Sequence, residues 1–241
     1  MAFGGTIIDR GSGLFLYSSG GGDIGDTFTP AEDDIILVAS SHDNSTVDIT
    51  AVAAANWNIT FTEVTGSLWG SQSDRLGLWV GRVGASPTSD RVNITRSGAG
   101  NTRSRVIQIT GCKTSGTAQS IFQQTSSVYE GYQGGGSPVT IDTFSSFQTD
   151  SLTLVLGHYE KSGASWATPS GYTEIYNDSG FNMSSVAYYN LNEDTTPNLE
   201  YTSLPNYVYL YGMAFEILAE AAAGTAVPIV MLNHNHFNGG L

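Results

Sequence analysis

The sequence predicts an all-β fold: a jelly-roll-like antiparallel β-sandwich of about ten strands, built from two related halves with extended arms at both ends. Three observations predict it. Glycine occurs 29 times beside abundant Ser, Thr and Asn, and lysine only at Lys113 and Lys161, a composition suited to strands joined by tight turns. Apolar and polar residues alternate with a period of two in several stretches. Finally, "DDIILVASSHD", beginning at Asp33, returns in altered form as "DSLTLVLGHYE", beginning at Asp150.

The echo extends along the chain in a preserved order. "NWNITFTEV" from Asn56 is followed in the second half by "SGYTEIYND" from Ser170, which places Trp57 and Tyr172 as matched core plugs. "RLGLWVGRV" from Arg75 parallels "SVAYYNLNE" from Ser185, "DRVNITRSG" parallels "PNLEYTSLP", and "SRVIQITGC" parallels "VYLYGMAFEIL". These pairs divide the chain into an N-terminal arm (1–26), a first half (27–112), a crossover (113–138), a second half (139–218) and a C-terminal arm (219–241). In "SLTLVLGHY", Leu152, Leu154 and Leu156 point one way and Ser151, Thr153 and Val155 the other. By contrast, Ile35 to Ala39 is apolar on both faces, so a neighbouring subunit or a terminal arm is expected to cover its outer side.

Both arms combine glycine-rich chain with apolar residues: Leu14, Phe15, Leu16 and Tyr17 in the first, Ile229, Val230, Met231 and Leu232 in the last. Such residues need a surface to cover them, and the expectation is a contact with other chains. Six of the seven arginines, Arg75, Arg82, Arg91, Arg96, Arg103 and Arg105, lie close together in sequence. They read either as a solvated strand face with local ion pairs or as a basic patch that meets an acidic neighbour. The formal net charge of −13 opposes nucleic acid and anionic lipid, so neither is an expected partner. Cys112 stands alone, which excludes an intrachain disulfide and a thiolate metal cluster. The start "MAFGGTIIDRGSG" lacks the basic end and apolar run of a secretory signal, and no stretch reaches membrane-spanning length.

Catalytic motifs are not evident: there is no Gly-x-Ser-x-Gly elbow, no HExxH and no phosphate-cradling glycine loop, so a non-enzymatic role without cofactor is expected. Asp34 to His42 and Asp150 to His158 have the same length, so His42 and His158 fall at matched ends of the echoed strands, an incomplete metal pair. His234 and His236, two apart in "NHNHFN", would share one side of an extended chain and are metal candidates only if a trimer gathers three tails. The acidic run "GGGDIGDTFTPAEDD" has calcium-compatible oxygens without a calcium-loop spacing. Trp69 and Trp166, in turn-rich surroundings, are candidate platforms for sugar rings.

The second half carries "DSLTLVL", "TPSGYTEIY", "SSVAYYNL" and "YVYLYGMAFEIL" in order, and in this it resembles the two-half β-sandwich virion proteins of tailed bacteriophages. The first half departs from that pattern, with "AANWNIT" where a Pro-x-Gly-aromatic turn belongs. The resemblance implies a structural virion protein assembled in the host cytoplasm, a capsid decoration or cement protein bound to the major capsid protein or another virion protein. It further implies a homo-oligomer, for which a trimer suits a projecting decoration. The alternative reading is a carbohydrate- or receptor-binding module of a tail fibre or head appendage.

Overall fold

The computed structural model describes residues 3–18, 20–43, 47–64, 75–130, 138–141, 143–145, 150–159, 163–180, 183–204 and 209–220. The first eight strands are β1 (Ile7–Ser18), β2 (Gly22–Phe28), β3 (Ile35–His42), β4 (Ile49–Ala53), β5 (Phe61–Glu63), β6 (Arg75–Arg82), β7 (Asp90–Arg96) and β8 (Gly100–Ile109). A 3-10 turn, Ala118–Ile121, leads to eight more: β9 (Phe122–Glu130), β10 (Val139–Thr140), β11 (Ser151–Tyr159), β12 (Ser165–Ala167), β13 (Thr173–Gly180), β14 (Met183–Asn190), β15 (Asn198–Ser203) and β16 (Leu210–Leu218). The fold is all-β and antiparallel, with sixteen strands among the described residues rather than about ten. The difference arises largely where the sequence suggested arms and linkers. Residues 7–18 form a strand zipped along β8, and the crossover contains β9, which pairs with β16.

The strands form two five-stranded and two three-stranded sheets. The first half contributes β1-β8-β3-β6-β5 and β2-β7-β4; the second contributes β9-β16-β11-β14-β13 and β10-β15-β12. Each order in the second half is that of the first with eight added to every strand number.

Three apolar layers hold the four sheets together. Ile36, Val38, Trp57, Trp79, Val92 and Val106 fill the space between the two sheets of the first half. Val155, Tyr159, Trp166, Tyr188, Leu199 and Ala214 do the same in the second. Between the five-stranded sheets, Ile35, Leu37, Leu78, Val80 and Ile107 meet Leu152, Leu154, Leu156, Met213 and Phe215. Each fully buried side chain of this middle layer contributes about 1.5–3 kcal/mol, so the halves stabilise one another.

The middle layer also explains the sequence patterns. Strands β3 and β11 are buried at every position because both of their faces are covered. The outer strand β7 has one wet face and alternates between exposed and buried. The cover over Ile35–Ala39 is therefore the second half of the same chain, joined in that layer by Phe3 and Ile7 of the N-terminal segment.

The echoed strands match with a shift of one residue from the sequence reading. Asp33 (φ 68°) and Asp150 (φ 67°) share a left-handed backbone conformation just ahead of β3 and β11. Aspartate tolerates this conformation because its short polar side chain can hydrogen-bond locally. Matching Asp150 to Asp33 aligns Ile35, Leu37 and Ala39 with Leu152, Leu154 and Leu156, all in the middle layer. It aligns His158 with Ser41, and His42 with Tyr159. The two histidines thus occupy unlike positions on opposite faces of their strands, as a one-residue slip requires.

Candidate functional site: the polar end of the inter-sheet seam

The direction of the seam follows from its hydrogen bonds. Cys112 bridges to Ala219, Lys113 N–H donates to the Leu218 carbonyl (3.0 Å) and Glu220 N–H to the Gly111 carbonyl (2.8 Å), tying the end of β8 to the end of β16. Those ends lie beside the first residues of β3 and β11, since Ile35 pairs with Ile109 and Ser151 with Leu218. Both central strands therefore start at this tied end and finish together at the other. There apolar residues give way to Ser40, Ser41, His42, Thr102, Arg103, Ser104, His158, Ser184 and Ser185, all buried.

Alternation along β8 divides this polar end into two compartments. Val106 faces the core of the first half, so Ser104 and Thr102 do as well. There Ser104 Oγ lies 2.7 Å from Ser40 Oγ, and Thr102 Oγ1 lies 3.1 Å from His42 Nδ1. Arg96 donates to Thr102 Oγ1 (3.2 Å) and to the carbonyls of Gly100 and Gly20 (both 2.9 Å), and its guanidinium covers the Phe15 ring at 4.7 Å. Burial, reinforced by the charges of His158, Arg75 and Arg96, lowers the pKa of His42 to about 3. This imidazole stays neutral and serves as a hydrogen-bonding core group.

Ile107 and Ile109 face the seam, so Arg105 and Arg103 do too. Arg105 spans the halves: Nη2 is 3.1 Å from Asp178 on β13, Nη1 is 3.4 Å from Asp9 on β1, and the guanidinium lies over the Tyr176 ring at 4.8 Å. Burial raises the Tyr176 pKa well above the usual phenol range. Arg103 is 8% exposed, and its Nη1 is enclosed without a hydrogen-bond partner. At the matched positions of the second half stand Tyr211, paired with His158, and Met213. The arginines belong to one half only.

The six arginines do not form one docking face. Arg75 pairs with Asp48, Arg82 donates to the Lys113 carbonyl, Arg96 and Arg103 are buried, and the half-buried Arg105 is paired with Asp9 and Asp178. Arg91 alone of the six is exposed, donating to Thr27 Oγ1 at 2.7 Å. Their strands turn them in different directions, and neighbouring polar groups consume several of them, which corrects the basic-patch reading.

Other sequence candidates fare as follows. Leu14 and Phe15 are half-buried in β1, opposite Arg103 and Thr102, and so belong to the first half's own sheet. Leu16 and Tyr17 share that strand; their side chains lie outside the described residues, as do Trp69, Ile229, Val230, Met231, Leu232, His234 and His236. Trp166 is no sugar platform: it is 8% exposed, on β12, inside the second half's core. Trp57 is a core plug, its indole N–H donating to the Thr88 carbonyl (3.1 Å), but the strand register matches Tyr172 with Phe61 instead. No group of three metal-ligating side chains occurs among the described residues. Cys112 is buried, which pushes its thiol pKa up to about 12.

Sequence reasoning missed Asp9, Tyr176 and Asp178 as partners of Arg105. Period two in β13 places Tyr176, Asp178 and Gly180 on one face, a signal that was present but named no partner.

No protein-family model, no curated protein and no solved structure matches this chain.

Proposed function

We propose that this chain is a non-enzymatic structural protein of a tailed-phage virion, a capsid decoration or cement protein. The observation that carries this reading is the strand order. In each half, the order 1-8-3-6-5 faces 2-7-4, counting from that half's first strand, and this order supports the jelly-roll reading, an architecture used by viral shell proteins. Two such units, related by duplication of one ancestral eight-strand unit, would form a rigid block with three apolar layers. The chemistry of the interior supports the reading: His42 is held neutral and Cys112 protonated, states suited to packing rather than to proton transfer or nucleophilic attack.

With Leu14 and Phe15 used inside the block, attachment to the shell falls to the C-terminal stretch containing Ile229, Val230, Met231 and Leu232. Burial of these four side chains against a capsid neighbour would supply the attachment energy, about 1.5–3 kcal/mol for each side chain fully buried. Deleting residues 221–241 tests the proposal. Loss of the protein from purified particles, together with earlier heat-induced release of DNA, is the expected outcome. Particles that retain the truncated protein at full occupancy would refute the attachment mechanism.

A further inference from the structure

We propose that the polar end of the seam binds a monoanionic carboxylate, with Arg103 as its anchor. A guanidinium carries five N–H donors and keeps its charge in a protein, so enclosing it without acceptors is costly. Arg103 is in that position: its Nη1 is shut off from solvent and unpartnered. Asp178 (3.1 Å) and Asp9 (3.4 Å) both lie against Arg105, and although the charge of Asp178 also acts on Arg103, no hydrogen bond reaches Arg103 Nη1. The aromatic face at this point is also taken, with Arg105 over Tyr176.

Space has been left beside the unsatisfied group. Gly180 on β13 adopts φ +149°, and a methyl group there would stand 3.5 Å from Arg103 Nη2. The absent side chain keeps the approach to the guanidinium open. The charges of Arg103 and Arg105 are already balanced by Asp9 and Asp178, so any added negative charge also meets two fixed carboxylates, and a monoanion is opposed less than a dianion. A planar carboxylate also matches the guanidinium fork, which can donate two parallel hydrogen bonds to it. The second half places Tyr211 where the first has Arg103, so the site exists once per chain. This inference is independent of the virion role.

The full chain titrated with sodium acetate, against sodium chloride at matched ionic strength and pH 7.5, tests it. The wild type should show a saturable rise in Tm with acetate and a shift of the Arg103 Nε–H NMR signal, with phosphate giving a smaller response. Arg103→Met should lose the Tm response, and Arg91→Met, altering the exposed arginine, should keep it. An acetate response that survives in Arg103→Met, or an Arg103 signal in the wild type that moves no further with acetate than with chloride, would overturn the proposal. The NMR measurement needs no variant, so it decides the matter even if Arg103→Met fails to fold.

Discussion

Acid should weaken this protein in a way that traces to His42. In the folded chain its pKa is lowered to about 3, first by burial and then by His158, Arg75 and Arg96. In the unfolded chain it returns to about 6.5. The folded state therefore leaves the imidazole neutral over a range in which the unfolded state binds a proton. Stability is unaffected by this group above pH 6.5 and declines as pH falls from there toward 3. Each pH unit within that window costs about 1.4 kcal/mol, or about 2.7 kcal/mol between pH 6.5 and 4.5. Carboxylates titrate near the lower end of the range, so the comparison is with His42→Gln, which keeps a hydrogen-bonding side chain facing Thr102 but does not titrate. Urea unfolding followed by the fluorescence of buried Trp57 and Trp79 gives both stabilities at each pH. The stability difference between wild type and variant should shift by about 2.7 kcal/mol in favour of the variant between pH 7.5 and 4.5. Parallel curves, with a gap constant to within a few tenths of a kcal/mol, would show that His42 is not buried as described.

Other outcomes follow from the packing. Leu154→Ala removes a fully buried side chain from the middle layer and should cost about 2–5 kcal/mol in urea or thermal unfolding. Trp166→Ala should cost about 3–5 kcal/mol, because the indole fills the second half's core; unchanged stability would return this residue to the surface. Gly21→Ala would place a methyl group on the Ile94 carbonyl oxygen, and proteolysis within β2 should rise as that strand is pushed off β7. Cys112 should resist a thiol reagent at pH 8 in the native protein and react at once in denaturant, since burial raises its pKa to about 12.

How far the sequence could be read depended on whether a strand has one wet face. The stretch Ser151–Tyr159 shows its faces openly, with leucines at 152, 154 and 156, and the structure places all three in the middle layer. Ile35 to Ala39 offers no such contrast. With apolar residues at every position there is no alternation to set a phase, so a match one residue out of step looked as good as the true one. The left-handed backbone at Asp33 and Asp150 settles the register, and sequence does not display it. Residues 7–18 illustrate a second limit: "GSGLFLYSS" has the composition of a flexible arm, yet β8 provides a full ladder for it.

The seam's chemistry was the least legible part. Arg105 could be seen as one of six clustered arginines, but its partners Asp9 and Asp178 lie far from it along the chain in opposite directions. The same holds for Trp166, which turn-like neighbours made look exposed until Val186, Leu199 and Tyr201 closed around it.

By itself the sequence determined the β class, the approximate positions of most strands and the existence of two echoing halves, because two-residue periodicity, turn composition and repetition are properties of the chain alone. Only the tertiary structure decided that the halves stack through their larger sheets, which face of β3 meets which strand, and which arginines are paired inside the fold. Those outcomes depend on segments far apart along the chain, and the same local pattern is compatible with several partners until packing selects one.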